Sequence, residues 1–104
     1  MSYQNALSAL VDPTRRRILE ELRGGPLAVG RLAERLPVSR PAVSRHLRVL
    51  ESAALVRFEE RGTRRVYEVD PRGVEALRTW LQTWWDEPLR RYAAHLKEMS
   101  DDEE

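Results

Sequence analysis

Apolar positions recur at helical spacing along the first half of the chain and switch to alternation near Ala54. Tyr3 to Leu10 reads as a short helix. Pro13–Arg23 reads as a second, turning Ile18, Leu19 and Leu22 inward. Val29–Leu36 is a third, with Leu32, Ala33 and Leu36 on its inner side. From Ser39 to Ala53 the apolar residues Val43, Leu47 and Leu50 fall at i, i+4 and i+7, one stripe of a fourth helix. Leu55–Glu60 and Arg65–Val69 then alternate as strands, joined by a hairpin tip, Arg61-Gly62-Thr63-Arg64, with glycine as the turn residue. A last helix carries Val74, Leu77, Leu81 and Trp84 at 3-4-3 spacing, which makes a packing seam. Pro88 interrupts it. Either the helix kinks or breaks there over one or two residues, or Asp86 caps a separate segment from Glu87 through Lys97.

The boundaries carry their own chemistry. Asp12-Pro13 and Asp70-Pro71 each place a carboxylate at the N-cap and proline at the first helical position, where a missing N–H costs little. Ser39 caps the fourth helix, and Pro41 lies in its first turn. Gly24-Gly25-Pro26 ends the second. The fold class expected is mainly α with a small β-hairpin, in the order α-α-α-α-β-β-α. The third and fourth helices join through about three non-helical residues, as a helix-turn-helix requires, and the hairpin stands beside them as a wing.

The outer face of the fourth helix gives this scaffold a purpose. Opposite Val43, Leu47 and Leu50 lie Ser44, Arg45 and Arg48, with Arg40, Pro41 and Ala42 at the start of the helix. Guanidinium and hydroxyl groups there suit phosphates and base edges. Ser44 and Arg45 are the candidates for bases, Arg40 for phosphate or base, and Ala42 for a thymine methyl. Arg61, Thr63, Arg64 and Arg65 would grip the backbone from the wing. Thr14 and Arg15, at the start of the second helix, could add a phosphate contact. The formal net charge of +1 hides this distribution. Five carboxylates crowd residues 98–104, read as an acidic, disordered tail, while the domain over residues 1–97 carries 18 basic and 12 acidic groups, a net +6. Seven arginines face three acids between Arg40 and Arg65.

Other classes find little support. There is no cysteine, so no disulfide, thiolate nucleophile or thiolate metal site. No phosphate-binding glycine loop or nucleophile elbow is present, and no enzyme activity or cofactor is expected. His46 reads as a partly buried helix residue and His95 as a surface one, too few and too far apart for a metal site. Trp80, Trp84 and Trp85 read as packing between subunits, with an effector pocket as the alternative. No signal peptide or membrane span is visible, and a cytoplasmic protein is the expectation.

Three segments together resemble the ArsR-type winged helix-turn-helix transcriptional repressors, over roughly residues 5 to 97. They are Leu7 through Leu19, Ala42-Val43-Ser44-Arg45-His46-Leu47 with Leu50 and Ala53 to Val56, and Arg61 through Tyr67. The resemblance implies a homodimer built from the first and last helices, with Leu7, Leu77, Trp80, Leu81, Trp84 and Tyr92 at the interface. It implies a recognition helix from each subunit in a major groove of a palindromic operator. The cysteines of the metal-sensing branch are absent at Val29-Gly30-Arg31-Leu32, and the last helix lacks a second histidine. The resemblance therefore points to a metal-independent branch that includes autorepressors. Two alternatives stay open. One is a winged-helix module for protein–protein contact. The other is the same repressor under an unidentified effector, either a small molecule or a metal held between subunits by His95 and carboxylates.

Overall fold

The computed structural model describes residues 3–102. Its elements are α1 (Tyr3–Ala9), α2 (Pro13–Leu22), β1 (Leu27–Ala28), α3 (Val29–Glu34), α4 (Arg40–Ser52), β2 (Val56–Arg61), β3 (Arg64–Val69) and α5 (Pro71–Asp102). Both Asp-Pro pairs start helices as their chemistry requires. The Asp12 carboxylate accepts from the backbone N–H groups of Thr14 (2.7 Å) and Arg15 (3.3 Å). Asp70 accepts from the N–H of Arg72 at 3.0 Å. Ser39 caps α4 by accepting from the N–H of Ala42 at 3.3 Å.

The α4 stripe is the centre of the core. Val43, Leu47 and Leu50 are fully buried against Ile18 and Leu22 of α2, Leu32 of α3, and Leu55, Val56 and Tyr67 of the sheet region. Leu36 is also buried, although α3 itself stops at Glu34. The hairpin pairs Phe58 with Tyr67 and Val56 with Val69, and its two-residue loop turns at Gly62, whose φ of +65° suits glycine. The sheet holds one strand more than the expected two. Leu27 and Ala28 pair antiparallel with Tyr67 and Val66, so the strand order is β1-β3-β2. Two residues carry no alternation. They become a strand only because the free edge of β3 lies beside them.

Two further expectations are corrected on α5. The helix runs through Pro88 without a break. Pro88 has no N–H to donate to the preceding turn, but this half of the helix is exposed, so water can satisfy the carbonyl left over. Residues 98–102 are helical rather than a disordered tail; Glu103 and Glu104 lie outside the described residues. The apolar period explains the extension, because Leu89, Tyr92, Leu96 and Met99 continue the seam almost to the end. At 32 residues, α5 is about 48 Å long, and every side chain from Leu81 to Ser100 is exposed.

A tight junction fastens the base of α5 to the end of α4. Ala54 adopts φ +57° and closes α4, with the N–H of Leu55 bonded to the Leu50 carbonyl at 2.9 Å. The Ala54 carbonyl accepts from Gly73 N–H at 3.0 Å, and the Leu55 carbonyl from Asp70 N–H at 2.9 Å. A Cβ on Gly73 would collide with the Ala54 carbonyl oxygen and lie 2.9 Å from that of Ala53. Asp70 is buried at this junction and grips the Arg72 guanidinium through both carboxylate oxygens, the shortest bond being 2.7 Å.

Gly73→Ala normally stabilises a helix by about 1 kcal/mol. Here the backbone cannot yield, so the sign reverses. We expect a loss of about 1–3 kcal/mol and a lower urea midpoint; a raised midpoint would contradict the junction. Asp70 supplies a pH-dependent counterpart. The Arg72 side-chain bonds hold its carboxyl below the usual range. Burial opposes them, and the Arg72 N–H and the charges of Arg72 and Arg57 add to them. A depressed folded value means that the contribution is present above the ordinary carboxylate pKa of about 3.9 and is lost as the pH falls through the folded value. Thermal midpoints taken from pH 5 to pH 3 should therefore fall more steeply for the native chain than for Asp70→Asn.

Candidate nucleic-acid interface

With its back buried, α4 turns a defined face outward. Arg40, Arg45 and Arg48 are exposed, and Ser44 and Ala42 are half-buried between them and the body. None of the three arginines has a carboxylate partner among the described residues, so their charge is available. Exposed Pro41 shapes the first turn. The Arg40 guanidinium leans over α3: a Cβ built on Gly30 would sit 3.7 Å from its Nη1.

Between the starts of α3 and α4 and the tip of the hairpin lies an open cleft of about 420 Å³. It is lined by Arg31, Arg40, Ser44, Thr63, Arg64 and Arg65, with Glu34 at one side. The fold thus brings Arg40 and Ser44 of α4 together with Thr63, Arg64 and Arg65 of the wing, while Pro41, Ala42, Arg45, Arg48 and Arg61 lie outside this cleft. It adds Arg31, which no local pattern in the sequence singles out, because its place here depends on how α3 meets the hairpin.

The wing arginines are not equivalent. Arg61 pairs with Glu59 at 3.2 Å, Arg65 with Glu60 at 3.7 Å, and Arg57 with Glu68 at 2.9 Å. Arg65 also stacks 4.4 Å above the Phe58 ring. Arg64 makes no ion pair among the described residues, and Thr63 is exposed beside it. The existing pairs are surface pairs of small worth, so a phosphate could replace the carboxylates at low cost.

Thr14 and Arg15, expected to add a phosphate contact, lie outside this cleft. The α2 N-terminus is already occupied by the Asp12 carboxylate. Burial raises the Asp12 pKa, but the N–H groups of Thr14 and Arg15, then the charges of His46 and Arg15, outweigh it and hold the carboxyl below its usual range. Arg15 turns inward, its side chain only 18% exposed. Its Nε donates to the Ala9 carbonyl at 2.6 Å, and its Nη1 lies 3.5 Å from His46 Nδ1. The carbonyls at the end of α1 draw the guanidinium away from solvent.

A helix-turn-helix domain model matches residues 10–57, the span that includes α2, α3 and α4. The HTH-type transcriptional regulator Rv2034 of Mycobacterium tuberculosis is 54% identical over 101 residues, covering 97% of this chain and 94% of its own length. The ArsR-like transcriptional regulator from Rhodococcus sp. RHA1 superposes with a TM-score of 0.77 at 33% identity, covering 93% of this chain and 91% of that one. The chain belongs to the ArsR-type winged helix-turn-helix transcriptional regulators. A solution structure of the homodimeric winged helix-turn-helix DNA-binding domain Mb0332 from Mycobacterium bovis is similar too. It has 30% identity and a TM-score of 0.65, over 81% of this chain and 78% of that one.

In this ArsR-type chain no group of three or more His, Asp or Glu residues among those described is placed to hold a metal ion. His46 is half-buried beside the α4 stripe and His95 is exposed. No described helix is long and apolar enough to cross a membrane. The expected subunit-contact residues are uncovered to different degrees. Leu7, Leu77 and Trp80 are half-buried near the base of α5, whereas Leu81, Trp84 and Tyr92 stand 45%, 60% and 61% exposed. Trp80 and Trp84 meet edge to face, with ring centres 6.0 Å apart.

Proposed function

We propose that this ArsR-type regulator acts in the cytoplasm as a homodimeric repressor, binding a palindromic operator with one α4 in each of two successive major grooves. The observation that carries this reading is the outward face of α4, where Arg40, Arg45 and Arg48 stand without carboxylate partners among the described residues, on a helix whose opposite side is fully buried. Arg45 and Ser44 read base edges, and Arg48 and Arg40 hold phosphates beside them. Arg64 and Thr63 take a backbone phosphate from the wing. Arg61 and Arg65 join after exchanging Glu59 and Glu60 for phosphate oxygens. Thr14 and Arg15 are left out of the contact set.

The second subunit covers the α5 seam. Leu81, Trp84, Trp85, Leu89, Tyr92, Leu96 and Met99 are each between 45% and 65% exposed, an apolar row too long for a surface meant to face water. Pairing would set the two α4 helices about 34–36 Å apart, one turn of duplex. The alternative of a protein-binding winged-helix module requires apolar residues on the open face of α4, and that face carries arginines instead.

Titrating operator and random duplexes by fluorescence anisotropy across a salt series tests the assignment. Arg45→Ala should cost about 1–3 kcal/mol on the operator and much less on random DNA. Arg64→Ala should weaken both equally and reduce the salt slope by about 1. Glu59→Gln frees Arg61 and should strengthen binding to both. Equal losses for Arg45→Ala on the two duplexes would remove it from base reading.

A further inference from the structure

Arg15 makes three contacts that no phosphate role explains. It belongs to α2, yet its Nε donates to the Ala9 carbonyl at the end of α1. Its Nη1 reaches His46 Nδ1 on α4 at 3.5 Å and Asp12 Oδ2 at 3.7 Å. Arginine only donates, so the contact is a hydrogen bond when the His46 ring is neutral with Nδ1 as the acceptor. The neighbouring Arg16 also holds the end of α1, donating to the carbonyls of Leu10 (2.7 Å) and Val11 (3.1 Å), but it is exposed and makes no hydrogen bond to α4 among the described residues. Among the described residues Arg15 links α1 to the DNA-facing helix by its side-chain contacts, alongside the burial of Ala6 and Ala9 in one core with Leu47, Leu50 and Ala53.

The surrounding packing shows why such a tie matters. An open groove of about 290 Å³ runs between α1, at Asn5, Ser8 and Ala9, and the exposed flank of the last turn of α4, at Val49 and Ser52. Val49 is 42% exposed there. Ala6 and Ala9 are buried in the core with Leu47, Leu50 and Ala53, but the single methyl of alanine gives little to interdigitate, so dispersion holds the angle between the two helices only loosely. A rigid planar guanidinium with fixed donors can lock it.

We propose that Arg15 is a positioning residue: through Ala9 and His46 it fixes the tilt of α4 against α1, and so sets the distance between the two recognition helices of the dimer. The inference rests on the dimeric operator reading above. Its leverage is mechanical. A 13-residue helix is about 20 Å long, so a tilt of about 5° moves its end by nearly 2 Å. A two-fold axis doubles that displacement, to about the 3.4 Å rise of one base pair. Losing the tie should therefore blur the spacing that the dimer accepts between half-sites.

The experiment is anisotropy titration of a palindromic operator, and of versions with its centre lengthened or shortened by one base pair. It uses the native full-length chain, Arg15→Met, His46→Leu and His46→Gln. The ratio of affinities across spacings cancels any loss common to all duplexes, such as a smaller folded fraction. The native chain should prefer one spacing by about tenfold or more. Arg15→Met and His46→Leu should each reduce that ratio to about threefold or less, while His46→Gln, which keeps an acceptor, should restore most of it. Native discrimination retained in His46→Leu overturns the proposal even if Arg15→Met does not fold. So does a ratio in His46→Gln no better than in His46→Leu. A native chain indifferent to spacing overturns the dimeric operator reading itself.

Discussion

A helix can offer unpaired arginines to a ligand only while its opposite side is held in place. In this protein Val43, Leu47 and Leu50 do the holding, each with no exposed surface. Burying such side chains stabilises by about 1.5–3 kcal/mol apiece, which is large against the total stability of a small domain. The rest of the structure is arranged around that anchor. α2 and α3 cover it from one side, the sheet closes another, and the Ala54 turn passes the chain directly into the wing. The positions of Arg40, Arg45 and Arg48 therefore follow from the core rather than from anything they contact themselves.

Electrostatic availability divides the arginines more sharply than exposure does. Among the described residues the α4 arginines and Arg64 have no carboxylate beside them, whereas Arg57, Arg61 and Arg65 lie paired along the hairpin. Arg15 and Arg16 are spent on main-chain carbonyls at the end of α1. A count of basic residues would treat all of these alike. Only the contacts distinguish a group ready to meet a phosphate from one that must first be released, and both from one that holds two helices together.

The junction at Ala54, Asp70 and Gly73 links the two working parts. It joins the end of the DNA-facing helix to the start of the long α5 through backbone hydrogen bonds and a contact that leaves no room for a side chain. The distal half of α5 then leaves the body altogether, with its apolar row uncovered. A rigid base and a bare seam are what a subunit needs if its partner is to determine where the other recognition helix stands. Arg15 of α2 meets the same helix at its middle residue, His46, so α4 is held at its C-terminal end by the junction and midway along by this contact.

The sequence by itself determined the features that depend on neighbours within a few residues. The Asp12, Ser39 and Asp70 caps, the α4 stripe, the glycine turn at Gly62 and the basic outer face were all legible, because helix period, capping and hairpin turns are local physics. Tertiary structure decided whatever depends on a distant partner. Leu27 and Ala28 became a strand because β3 offered an edge, and Arg31 reached the cleft because α3 meets the hairpin there. Arg15 turned inward because the carbonyl of Ala9 and the ring of His46 converge on it. Pro88 was read as an interruption from its missing N–H, yet the helix passes through it, since an exposed carbonyl finds water and the apolar row continues beyond. In each case the local signal was sound, and the outcome turned on which groups the fold brought within hydrogen-bonding distance.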